Sequence, residues 1–176
     1  MHVLILPSWY PRFDGDAEGS FFRDQTHGLA EAGLKVGVVF ADLRGPGRHF
    51  QKGRPSGITI AQDGPIAEVR SHGFNWSPRF MPGFEWLWLR HAERALSVYL
   101  DRFGKPDVVH VHSMEPAATM AARLKDRYGI PFVITEHSTF HLRHVVSDGV
   151  RRKCARLAQA SSANLAVSEV FAGKLD

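Results

Sequence analysis

The sequence predicts an α/β fold in which a parallel sheet carries helices on both faces. Short apolar runs alternate with amphipathic stretches, the pattern of repeated βα units. Several of the runs are near-continuous Val, Ile and Leu, as expected of strands covered on both sides. Glycine and proline punctuate the ends of the amphipathic stretches, at Gly33 and at Gly129 with Pro131.

In order along the chain, strands are expected at 2–7, 35–41, 108–112, 132–136 and 164–167, and helices near 20–32, 84–103, 116–128 and 149–160. In the longest helix Phe84, Trp88, Ala92, Ala95, Leu96, Tyr99 and Phe103 recur at helical spacing and form one apolar stripe. The stretch 42–83 breaks the rhythm. Gly45, Pro46, Gly47, Gly53, Pro55 and Gly57 mark a loop. Runs at 58–61 and 66–70, separated by Gln62-Asp63-Gly64-Pro65, mark a small hairpin insertion. Residues 168–176 read as the first turns of a helix that the chain abandons, so a truncated protein is expected.

At 176 residues the chain suits one domain with a full core, and 44% apolar with 23% charged residues argues against wholesale disorder. The apolar opening, Val3 to Leu6, is too short for a signal-peptide core, and no run reaches the about 18 residues of a membrane span. The single cysteine, Cys154, cannot form an internal disulfide, and the cytoplasm is the expected compartment. The net charge of +4 is clustered: Arg44, Arg48, Lys52 and Arg54 in the loop, and Arg151, Arg152, Lys153 and Arg156 in the last helix. Each cluster reads first as a solvated loop or helix face. No zinc-finger, RRM or KH signature accompanies them, and no nucleic-acid partner is expected.

Two regions carry candidate chemistry. In an open parallel sheet, ligands bind beyond the carboxyl ends of the strands, near the switch point. The loop from Ser8 to Gly19 lies there. Gly15 and Gly19 let the backbone approach a phosphate, and a helix beginning near Ser20 offers free N–H donors. The spacing is not G-x-G-x-x-G, so a dinucleotide fingerprint is absent. Asp24 is expected in the first helical turn, where it suits the helix dipole.

The second region is His110-Val111-His112-Ser113. Residues two apart on a strand share a face. One imidazole is expected to pack inside while His112 reaches the cleft. His137, just after the neighbouring strand, should lie close to His112. His141 and His144 follow; five of the ten histidines thus fall between positions 110 and 144. Three readings stay open: polar caps on strand ends, imidazoles that bond a sugar or acceptor hydroxyl, and a metal site. The last lacks the carboxylate-rich set that metal-dependent hydrolases add.

Four motifs in order resemble the N-terminal half of family 4 glycosyltransferases. They are the opening HVLILPSWYP with its FFRDQ helix, KPDVVHVHS, GIPFVITEHS and ANLAVSE. Together they span nearly the whole chain. The resemblance implies one half of a GT-B fold, in which two Rossmann-like domains face a cleft. Residues 1–176 would form the acceptor-side half, with the donor-binding domain outside this chain. It further implies transfer from a nucleotide-sugar with retention of configuration, without a metal or other cofactor. By position, Gly19 or Gly15, with Ser20, would face the donor diphosphate. His112, the catalytic candidate, would contact the transferred sugar or the acceptor, and His137, Ser113 and Glu136 would line the same cleft as acceptor or sugar contacts. The chain departs from the pattern in lacking an adjacent Gly-Gly pair in the first loop and in having Leu34-Lys35 where a His-Glu pair is common.

The acceptor is hinted at by Phe74, Trp76, Phe80, Met81 and Phe84, with Trp86 and Trp88 beyond them. Trp88 belongs to the helix stripe. Trp76 and Phe80 are expected to be exposed, and aromatic rings stack on sugars and sit well at membrane interfaces. With the basic clusters this suggests a glycan or lipid-linked acceptor met by a peripheral protein at the inner membrane face. A GT-B-fold nucleotide-sugar epimerase and a non-catalytic sugar-binding or partner-docking Rossmann domain are the alternatives.

Overall fold

A computed structural model describes residues 1–13, 15–49, 55–77, 83–137 and 147–167. The strands are β1 (His2–Pro7), β2 (Lys35–Arg44), β3 (Gly57–Asp63), β4 (Ile66–Phe74), β5 (Val108–His112), β6 (Phe132–Glu136) and β7 (Ala163–Ala166). The helices are α1 (Ser20–Glu31), a single turn α2 (Pro46–His49), α3 (Phe84–Phe103), α4 (Ala117–Tyr128) and α5 (Asp148–Ala160). The strands form one sheet in the order β3-β4-β2-β1-β5-β6-β7, and every pair is parallel except β3 with β4.

The period-2 alternation of β1 divides the core. Leu4 and Leu6 join Val39, Val69, Val109, Val111, Phe132 and Ile134 beneath Trp88, Ala92, Leu96 and Tyr99 of α3 and Ala118, Ala121 and Leu124 of α4. Val3 and Ile5 point the other way, to Val36, Val38 and Phe40 beneath Phe22 of α1. Right-handed crossovers explain this split. The chain steps one way from β1 to β2 and the other way from β4 to β5, β6 and β7, so α1 lies on the opposite face from α3, α4 and α5. The reversal leaves a switch point between β1 and β5.

The sequence expectation for 42–83 needs correction at its start. Residues 42–44 are strand, because β2 continues in register with β4 from Asp42↔His72 to Arg44↔Phe74. A charged strand end can be buried there because its charges neutralise one another. Asp42 accepts from Arg44 (Nε, 2.7 Å) and lies 3.0 Å from His72 Nδ1. Arg44 is therefore not a solvated loop charge; only 7% of it is exposed. The hairpin is longer than expected and is stitched into the sheet through β4. Asp24 falls beyond the first turn of α1, which holds no acidic residue. Gly33 ends α1 as expected: at φ 84 it donates to Ala30, while Leu34 donates to Leu29, which satisfies two helix-end carbonyls.

Candidate functional site

The switch point places the ends of β1, β5 and β6 side by side. Pro7 pairs with His112, and His112 with Thr135. Val109 and Val111 face the α3–α4 core, so Val108, His110 and His112 face α1. Beyond Pro7 the chain turns at Ser8, whose N–H donates to the His112 carbonyl (3.0 Å) and whose hydroxyl donates to the Ser113 carbonyl (2.8 Å).

His112 is wholly buried. Its ring lies 4.8 Å from the Phe22 ring and 4.2 Å from His110, and its Nδ1 is 3.2 Å from His137 Nε2. The expected proximity of His112 and His137 is therefore present. The expectation that His112 stands at the cleft mouth is corrected: Phe22, from the first turn of α1, closes over it. His110 is the more exposed of the two and pairs with Thr135 Oγ1 (2.8 Å). His112 Nε2 is buried with no hydrogen-bond partner among the described residues. Burial, reinforced by His110 and His137, pushes the His112 pKa down to about 2, and burial with His110 pushes that of His137 down to about 4. Both rings are neutral near pH 7. In that state one ring nitrogen donates and the other accepts, so the His112–His137 bond fixes what Nε2 can offer.

Gly19 is the N-cap of α1, at φ 81, with no side-chain cap. A Cβ there would meet Trp9 Cδ1 at 3.1 Å, Tyr10 Cα at 3.2 Å and Phe22 Cδ2 at 3.3 Å, so a side chain is excluded by both space and backbone. Its carbonyl accepts from Phe22 N–H (3.0 Å), and Ser20 N–H points to Ala17 O at 3.4 Å. Gly15, also at positive φ, stands in open space. Of the two glycines, Gly19 adjoins the histidine pair, through Phe22.

Ser113 and Glu136 are 1% and 2% exposed, and they bond each other rather than line an open cleft. Trp76 is 57% exposed, as expected, and packs over Gly83 at the start of α3. Phe80, Met81, His141 and His144 lie outside the described residues. Among the described residues no three His, Cys, Asp or Glu side chains are grouped to hold a metal ion.

Sequence reasoning missed three participants. Ser8 braces the β5 turn, and its position directly after an apolar strand was the available signal. Phe22 covers His112; the FF pair opening α1 gave no hint which ring faces inward. Arg12, in the glycine-bearing loop, reaches Glu18 (2.6 Å) and buried Asp42 (3.3 Å), tying that loop to the end of β2.

This is an open α/β sheet with its crevice at the carboxyl ends of the central strands, the class that holds a ligand between a helix start and strand ends. The profile of Glycosyltransferase Family 4 matches residues 19–175, and the chain belongs to that family. It is thus a Rossmann-like domain of a glycosyltransferase. No curated protein matches the chain.

Proposed function

We propose that the chain is the acceptor-side half of a two-domain, retaining GT-B glycosyltransferase that moves a hexosyl group from a nucleotide-sugar to a glycan or lipid-linked acceptor. The observation that carries this reading is the neutral His112–His137 pair, buried at the switch point beside the uncapped start of α1.

Glycosyl transfer needs negative charge stabilised on a departing diphosphate and positive charge tolerated on an oxocarbenium-like sugar. Preorganised N–H dipoles serve the first task. In this reading Gly19, with Ser20 and the more distant Gly15, brings backbone N–H groups of the α1 start to the diphosphate. His112 serves the second. Held uncharged, it adds no positive charge beside the cationic sugar, and Nε2 takes a hydrogen bond from, or gives one to, a sugar hydroxyl. Phe22, which covers His112, gives way to the sugar and then keeps water from that bond. His137 sets the His112 tautomer, and Trp76 offers a stacking surface to the acceptor. The enzyme works as a peripheral protein at the cytoplasmic membrane face.

The test is a panel of nucleotide-sugars offered to this chain and to a longer protein that includes a donor-binding half. Transfer by the longer protein alone, with the anomeric configuration kept, is the expected result. Turnover by the 176-residue chain alone would sink the two-domain reading, and free epimerised sugar-nucleotide as product would favour the epimerase.

A further inference from the structure

The turn that follows His112 adopts a backbone conformation that its sequence does not favour. Ser113 has φ 65, the one positive φ at a non-glycine among the described residues. For an L-residue this region is disfavoured by about tenfold or more. Something must hold it. The Ser113 hydroxyl donates to Glu136 Oε1 (2.9 Å), and the Met114 N–H donates to Glu136 Oε2 (2.7 Å). The Ser113 N–H donates to the Thr135 carbonyl (2.9 Å), and the Ser113 carbonyl accepts from Ser8 (2.8 Å). One carboxylate at the end of β6 therefore captures the two donors that the left-handed turn of β5 presents.

The placement has a consequence for the imidazoles. Ser113 directly follows His112, and Glu136 directly precedes His137. The carboxylate clamp spans the same two strands as the His112–His137 bond, one position away from each ring. Sliding or unwinding of the β5 turn would change the 3.2 Å separation of the rings. Both Glu136 carboxylate oxygens accept from the turn itself, Oε1 from Ser113 and Oε2 from Met114.

We propose that Glu136 is a positioning residue: by accepting from both Ser113 Oγ and Met114 N it locks the left-handed Ser113 turn and so sets His112 against His137. The structural part stands on its own geometry; its kinetic consequence rests on the glycosyl-transfer reading.

Glycine separates this role from direct ligand contact. Gly adopts φ 65 freely, so Ser113→Gly removes the need for the clamp, whereas Ser113→Ala keeps the backbone cost and loses the hydroxyl. The readout is the long-range nitrogen–proton NMR spectrum of the histidine rings near neutral pH, which reports the His112–His137 hydrogen bond. Glu136→Gln, which converts one acceptor into a donor, is expected to lose that signature, and adding Ser113→Gly to restore it. Ser113→Gly alone should retain it and Ser113→Ala should lose it, a comparison that decides the matter even if Glu136→Gln does not fold. An intact signature in folded Glu136→Gln, no restoration by glycine, or indistinguishable Ala and Gly variants would overturn the proposal. In the longer protein, Glu136→Gln should lower kcat about tenfold with KM for the donor unchanged, and Ser113→Gly should recover it. A wild-type protein inert toward every donor would defeat the transfer reading while leaving the ring spectra to judge the clamp.

Discussion

At the residue scale, His112 is built to be uncharged. Phe22 and the sheet remove it from water, and His110 and His137 add no compensating negative charge. The first prediction is that His112→Ala in the longer protein lowers turnover on the order of 100-fold or more, the scale of one preorganised transition-state contact. His110→Ala should cost far less, since its ring is already engaged by Thr135. Equal, mild losses would make both histidines structural. The second prediction concerns stability. His110, His112 and His137 all have pKa values lowered by burial, that of His137 to about 4. Above the unfolded value near 6.5 both states are neutral and their contribution is fully present. As pH falls from 6.5 toward 4 the unfolded chain binds protons that the folded chain refuses, so stability is lost across that window. Asp42, held low against its own burial by hydrogen bonds from His72 and Arg44, adds a further loss only below the ordinary carboxylate range. Urea unfolding between pH 7 and 4 should show the decline beginning near 6.5. A midpoint that stays level to pH 4 would contradict the buried, neutral histidines. The sequence showed that His112 and His137 end neighbouring strands, because strand order follows from βα repetition. Which imidazole is covered depends on where α1 sets Phe22 down, a packing outcome that no local pattern encodes.

At the element scale, the helices were legible from their apolar stripes and from glycine stops such as Gly33 and Gly129, and the buried strands from their near-continuous apolar runs. The Trp88–Ala92–Ala95–Leu96–Tyr99 stripe of α3 lies in the core as its spacing requires. The boundaries that failed were those of β2 and β4, where Asp42, Arg44 and His72 look like loop residues until they are seen to pair with one another. Two glycines inside regular elements give opposite predictions. Gly37, on β2, sits under Tyr99: an added Cβ would lie 2.0 Å from the Tyr99 hydroxyl oxygen. That hydroxyl is bonded to His2 at 2.6 Å, and the ring is fully buried, so it has no free direction to retreat. Gly37→Ala should therefore destabilise the domain by roughly 1–3 kcal/mol or more, as overpacked cores do. Gly28, within α1, has nothing within 4 Å of a built Cβ and ordinary helical φ. Gly28→Ala should stabilise by about 0.5–1 kcal/mol through helix propensity. Thermal melts of the two variants check both signs. A Gly37→Ala protein as stable as the parent would mean that α3 is free to lift from β2.

At the scale of the whole molecule, exposed aromatics stand at the start of α3, to which the basic helix α5 is tied through Lys153. Trp86, 55% exposed, sits in the first turn of α3 with Arg90 5.1 Å from its ring, and Trp76 covers Gly83 at the cap of the same helix. The neighbour of Trp86, Glu85, accepts from Lys153 of α5 at 2.5 Å, and Lys153 also reaches Glu115 at 2.8 Å. That pairing fixes α5 against the start of α3, with Arg151, Arg152 and Arg156 exposed around it. The sequence offered the tryptophans and the basic run as two separate clusters, 65 or more positions apart by number; the Lys153–Glu85 contact ties the helices that carry Trp86 and the basic run. Among the described residues no helix is long and apolar enough to cross a membrane. Amphipathic rings at the headgroup level and arginines over anionic lipid are complementary parts of such a contact. The last prediction is that the protein sediments with vesicles containing anionic lipid and not with neutral ones. Binding should weaken with added salt, because exposed charges are screened within about 10 Å at 0.1 M. Trp76→Ala with Trp86→Ala should reduce binding at every salt concentration without changing the melting temperature much, since both rings are more than half exposed. Arg151→Glu with Arg152→Glu should reduce it most at low salt, where electrostatic attraction is strongest. If the parent protein fails to bind anionic vesicles even at low salt, the lipid-linked acceptor is abandoned, and the same tryptophans are left as stacking platforms for a soluble glycan.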